Sequence, residues 1–205
     1  MKTHSRFFSL TAAFTLTFLV LMQTSGIAQQ KAAAPAPKAG LPILLTSCGQ
    51  SQAGPAAFEI FLKGLKLEYV SKMDATAADL AKSPFKSVII VTGASLKGMG
   101  AAGVSIEDEL ARTKALIAAA KKQNIKIIGA HVEGMKRRAQ GAAPGDNTDE
   151  LSIDAVCPFS SLLVVKKEGD EDGRFTTISK DKGIPIILYE KNLDLQNVLK
   201  NLFGK

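Results

Sequence analysis

Three stretches of this 205-residue chain bring together residue types that could do chemistry. Gly49-Gln50-Ser51-Gln52-Ala53-Gly54 sets a hydroxyl and two amides between glycines. Thr92–Val104 carries Gly93, Gly98, Gly100 and Gly103 together with Ser95 and Lys97. His131 and Glu133 precede a basic run, Lys136-Arg137-Arg138. Glycines let backbone N–H groups approach an anion, and a lysine beside them could neutralise a carboxylate or phosphate. The expected binding residues are therefore Gly49, Gln50, Ser51, Gly93, Ser95, Lys97, Gly98 and Gly100, with His131 or Arg137 on the far wall, the arginine clamping an acidic group. The alternative for the loop residues is solvated surface, and for His131 a hydrogen-bonded structural histidine. Gly93-Ala94-Ser95-Leu96-Lys97-Gly98 lacks the order of a P-loop. Gly98-Met99-Gly100-Ala101-Ala102-Gly103 fits G-x-G-x-x-G, but no acid ends a strand about 20 residues on, so a dinucleotide is not expected. No His, Cys, Asp or Glu group has metal-ligand spacing, and no cofactor is called for.

Gly49-Gln50-Ser51 resembles the nucleophile block of the SGNH esterases, especially the Gly-Gln-Ser form of sialate acetylesterase-like proteins. That resemblance implies Ser51 as a nucleophile. The family takes its base from a D-x-x-H block near the C-terminus, and no histidine follows His131 here. A serine without an adjacent base is a poor nucleophile, so an esterase would have to use Ser51 with His131.

Apolar periodicity outlines the elements that must hold these residues. Strands are expected at Ile43–Thr46, Leu67–Val70, Ser87–Val91, Ile125–Ala130, Leu162–Val165 and Ile186–Tyr189. Pro55 opens a helix with Phe58, Phe61, Leu62 and Leu65 on one face. Thr76–Pro84 is a short helix. Ser105 caps a helix to Lys122, with Ile106, Leu110 and Ile117 inward and Asp108 paired to Arg112 on the wet side. Further helices are expected from Asn147 or Thr148 to Val156, at Thr176–Lys182, and over Leu195–Leu202. Thr92–Val104 and Val132–Asn147 read as loops, and Asp170–Asp172 as a solvated turn. Alternating strands and helices predict an α/β three-layer sandwich of about six parallel strands, in the flavodoxin-like order 2-1-3-4-5-6, with 3-2-1-4-5-6 as the alternative. Ligands bind outside the C-terminal strand ends where the order reverses. In the first order that place lies between Ser47–Gly54 and Thr92–Val104.

The first 28 residues read as a secretory signal peptide: Lys2 and Arg6, the apolar Phe7–Met22, then Gly26-Ile27-Ala28. Gln29–Gly40, rich in alanine and proline, reads as a disordered tether. A single domain occupies 41–205. The expected location is periplasmic or extracellular, with no membrane association after cleavage. The formal charge is +7, but two positives fall in 1–28 and two in 29–40, which leaves +3 on the domain. Aromatics are 6% and tryptophan is absent, which argues against nucleic acid. Cys48 and Cys157 fall at opposite ends of the expected strands and should be unpaired thiols.

Pro42–Ser51, Val88–Glu109 with Lys97–Gly103 and Ile106–Glu109, Ile125–His131, and Asp172-Gly173 resemble a family of small exported bacterial proteins known as a domain of unknown function. The resemblance spans almost the whole domain. It implies an exported α/β domain and carries over no activity and no catalytic residue. The expected function is binding of a small anionic metabolite by an accessory protein that hands it to a transporter or sensor. The alternatives are a serine esterase using Ser51, or a protein-interaction domain without a small-molecule site.

Overall fold

The apolar runs at Ile43–Cys48 (β1), Tyr69–Ser71 (β2), Ser87–Thr92 (β3), Lys126–His131 (β4), Leu162–Lys166 (β5) and Ile186–Tyr189 (β6) pair into one parallel sheet of order β2-β1-β3-β4-β5-β6. This is the flavodoxin-like order, not 3-2-1-4-5-6. The computed structural model describes residues 38–140 and 146–205. The expected signal peptide and most of the tether lie outside the described residues. Among the described residues no helix is long and apolar enough to cross a membrane.

The helices are α1 (Ala53–Gly64), α2 (Leu96–Ala102), α3 (Ile106–Lys122), α4 (Met135–Gln140), α5 (Thr148–Val156), α6 (Arg174–Lys182) and α7 (Asp194–Phe203). Alternation along the strands sorts the core into two faces. Ile43, Leu45, Ile89 and Val91 meet Phe58 and Leu62 of α1 and Leu195 and Leu199 of α7. Leu44, Cys48, Val88 and Ile90 point the other way, onto Leu116, Ile117 and Ala120 of α3. Leu163 and Val165 continue that second face against Ile153 of α5 and Phe175 of α6. Each such buried side chain stabilises the fold by roughly 1.5–3 kcal/mol, which outweighs helix propensity in holding the outer layers down. Both cysteines are buried and unpaired.

The short helix expected over Thr76–Pro84 is a single 3-10 turn, Asp79–Lys82, and three further elements differ from the sequence reading. Thr92–Val104 is not a loop throughout: Ser95 caps α2, accepting the Gly98 N–H, and Gly103 ends it in a left-handed conformation at φ 67°. Buried Met99 anchors the helix, so two internal glycines do not unwind it. The second is α4, which forms inside the expected loop Val132–Asn147. The third is the rotation of α3. Its inward face is Glu109, Thr113, Leu116, Ile117 and Ala120, while Leu110 is only half-buried. Asp108 does not pair with Arg112; it completes a capping box with Ser105.

Candidate functional site

β1 and β3 are neighbours where the strand order reverses, and both enter turns there. Gly49 and Gln50 adopt positive φ, 101° and 57°. A Cβ on Gly49 would lie 2.7 Å from the Gly93 carbonyl oxygen, so a glycine is required. This turn sets Gln50 in an antiparallel bridge to Ala94. The Ser51 N–H donates to Gly93 O at 3.2 Å, and the Ser95 N–H donates to Gly49 O at 2.8 Å. The two loops are thus tied at their base. Above the ties lies a crevice of about 300 Å³, lined by Gln50, Ser51, Gln52, Ser95, Lys97 and Gly98 among others.

The ties rest on a buried ion pair. Glu109 is 2% exposed. Its carboxylate accepts the Gly49 N–H and the Gln50 side-chain amide, each at 2.9 Å. Arg112 holds the same carboxylate through two nitrogens, at 2.9 and 2.8 Å, and donates to the carbonyls of Ala75 and Ser47. Burial alone would raise the Glu109 pKa. The hydrogen bonds from Arg112, Gln50 and Gly49 outweigh it, so the group sits below its usual value.

Ser51 is buried, and its Oγ donates to Glu133 Oε1 at 3.3 Å. A second acid approaches from α5. Asp149 accepts the Ala94 N–H, yet desolvation, with the charges of Glu133, Asp146 and Glu150 behind it, lifts its pKa to about 6. Ser152 Oγ accepts the Gly93 N–H at 3.2 Å. Two carboxylates, Glu133 and Asp149, thus lie behind Ser51 and Ala94 at the base of the crevice. Most of the loop amides expected to meet an anion are already bonded. Gly49 N–H serves Glu109, Gly93 N–H serves Ser152 and Cys48 O, and Gly98 N–H serves Ser95. Gly98 matters as a close approach instead: a Cβ there would sit 2.4 Å from Gln50 O. Ser95 is a helix cap, and exposed Gly100 has open space where a side chain would be. Gln50, Ser51 and Lys97 remain on the crevice, with Ser95 and Gly98 forming its floor.

His131 does not face the crevice. It is fully buried, with Nδ1 on the carbonyl and hydroxyl oxygens of Thr92 at 3.2 and 3.1 Å and its ring 5.1 Å from that of Phe175. Thr92 Oγ1 donates to Ala130 O, which assigns the proton to Nδ1. Nε2 is buried with no hydrogen-bond partner. Desolvation, with Arg138 nearby, pushes the imidazole pKa down to about 4. None of these contacts is with Ser51, so the Ser51–His131 pairing is not formed. The Arg137 side chain lies outside the described residues. Its neighbour Arg138 is buried instead, holding Glu150, Asp172 and the Gly169 carbonyl. The expected solvated turn is occupied too: Asp170 caps α6 at Phe175 and Thr176. Among the described residues no three His, Cys, Asp or Glu side chains gather as metal ligands.

The sequence profile of the domain of unknown function DUF6305 matches residues 40–203. The chain belongs to that family. A search of the curated proteins finds no match. Among solved structures, the DUF6305 chain is similar to a GDSL-like lipase from Bacteroides thetaiotaomicron, at 15% identity over 72% of this chain and 67% of that one, with a TM-score of 0.35. It is similar to an acetyl xylan esterase at 14% identity over 78% and 85%, TM-score 0.38. At such scores nothing about activity is carried across. The residues missed in the DUF6305 sequence are Glu109 and Arg112. Stepping back three and seven from Leu116 reaches Thr113 and Glu109, so the inward helix face did pass through them.

Proposed function

We propose that the protein binds a small anionic molecule in the crevice at the strand-order reversal, as an exported accessory protein without catalysis of its own. The observation that carries this reading is the crevice itself, about 300 Å³, with its walls cross-tied and exposed Lys97 on its rim. Lys97 makes no ion pair among the described residues, so its charge is available to a ligand. The start of α1 supports it: Gln52 provides no side-chain cap, and the first turn holds no acid. Against the esterase alternative stand two facts. His131 is sealed in the core, and the N–H groups of Ser51, Gly93 and Ala94 are all donated to protein acceptors, which leaves none of these three to hold an oxyanion.

A thermal-shift panel of carboxylates and phosphates tests the reading. At least one anion should raise the melting temperature of the wild type, and Lys97→Ala should weaken that ligand by about tenfold, the worth of a charge-assisted hydrogen bond. If every anion acts equally on wild type and variant, the reading is wrong. An activated acyl ester should leave Ser51 unlabelled; stoichiometric labelling there would favour the esterase.

A further inference from the structure

The charges of the domain are sorted along its strands. All six parallel strands start at one end of the sheet, and α1, α3, α6 and α7 finish there. Hydrogen bonds set the neighbours at that end: the Lys126 N–H donates to Lys86 O, and the Ala39 N–H to Leu202 O. Eleven lysines occupy it, within residues 38, 63–66, 86, 121–126, 180–182 and 200–205, and all but the half-buried Lys126 are exposed. Among the described residues none of the eleven makes an ion pair. The acidic side chains at this end are Glu68 and Asp181. Each of the four helix C-termini adds about half a negative charge, which leaves a large positive surplus. The opposite end, where the crevice opens, carries three acids at 107–109, three within 146–150 and four within 168–172. The small net charge of the domain thus combines a basic end with an acidic one.

Two features point to the partner. Among the described residues no arginine lies at the basic end. Lysine ammoniums are hydrated point charges without the two-point geometry of a guanidinium, so they respond to charge density and not to a shaped phosphate. An apolar side chain also stands among them. Phe159, just ahead of β5, is 49% exposed, and the Lys121 ammonium lies 5.1 Å from its ring centre. Lysines around an exposed aromatic ring match charged headgroups above an apolar layer. We propose that this end docks on an anionic lipid surface, with the crevice turned away from the surface and open to solvent. The docking does not depend on what the crevice holds. It departs from the expected lack of membrane association, since attraction of this kind needs no spanning helix.

Acetylation of the full chain by a water-soluble lysine reagent, read by mass spectrometry, tests the proposal. The vesicles are phosphatidylcholine alone or phosphatidylcholine mixed with phosphatidylglycerol. The apolar stretch 7–22 can hold the chain on either vesicle, so the quantity read is protection at particular lysines. On the mixed vesicles Lys66, Lys86, Lys122 and Lys200 should react about fivefold more slowly than in free protein, the factor that one lysine near an anionic surface contributes. Lys136, Lys167 and Lys191, at the crevice end, should react at their free rates. Neither group should change on phosphatidylcholine. In Lys86→Gln with Lys200→Gln, the protection of Lys66 and Lys122 should disappear. In Lys136→Gln with Lys191→Gln, which removes the same charge, it should persist. Absence of protection on the mixed vesicles, or equal protection of both groups, overturns the proposal. So does equal loss in the two variants. Protection by soluble dextran sulfate that phosphatidylglycerol does not give would make the partner a polysaccharide and overturn the lipid assignment.

Discussion

Glu109→Gln should cost about 3–5 kcal/mol of folding stability, read as a lowered urea midpoint with an unchanged slope. The substitution keeps shape and removes charge, which leaves the Arg112 guanidinium, its side chain 13% exposed, without its anion. Arg112→Ala should cost a similar amount, because it strands a buried carboxylate and two carbonyls, Ala75 and Ser47. The double variant Glu109→Leu with Arg112→Met should lose clearly less than the sum of the single losses, since neither charge is then left alone. A loss below about 1 kcal/mol in Glu109→Gln, the range of exposed pairs, would show that the pair does not hold the loops. The same substitution should loosen the Gly49–Gln50 turn, seen as faster amide exchange at Ser51 and Ser95.

His131 should make the protein acid-labile in a defined window. Its folded pKa of about 4 lies below the unfolded value of 6.5. Between these values the unfolded chain binds the extra proton, so stability is full above about pH 6.5, falls as pH drops, and is flat again below about pH 4. The shift corresponds to roughly 3 kcal/mol. Asp149 works the other way: its raised pKa, about 6 against 3.8, favours the fold at low pH and withdraws that support as pH rises between the two values. The wild-type curve reports the difference between them. Denaturant unfolding from pH 7 to 4.5 should therefore be compared with His131→Gln, which keeps a polar side chain and cannot charge. The variant should lose about 2 kcal/mol less over that interval. Parallel curves would mean that the imidazole is solvated.

The sheet was readable because its strands are buried on both faces. Ser87–Val91 and Leu162–Val165 are unbroken apolar runs that no amphipathic helix would produce. The crevice was readable from the order of those strands together with the two glycine-rich stretches. What was not readable turned on partners distant in sequence. Glycine content at 93–103 reads as loop, but a serine cap, a left-handed glycine stop and one buried methionine make a helix of it. Exposed-looking Glu109 is buried and Arg112 largely covered because each satisfies the other and the backbone of a loop about 60 residues earlier. His131 ends a strand at the correct edge, yet period-two alternation turns it away from the crevice and onto Phe175. Gly49 and Gly98 each admit neighbouring backbone, the Gly93 and Gln50 carbonyls, a role that glycine content alone does not reveal.

The bridge between Gln50 and Ala94, with the hydrogen bonds on either side of it, is made by the chain alone. Its consequence is kinetic. A wall already fixed by its own backbone has no gate to open, so ligand uptake should be a single second-order phase whose rate rises linearly with concentration. Lys97 contributes to that encounter through its field, and salt should slow it. Discrimination among ligands then falls to residence time: those that fit stay longer, and all arrive alike.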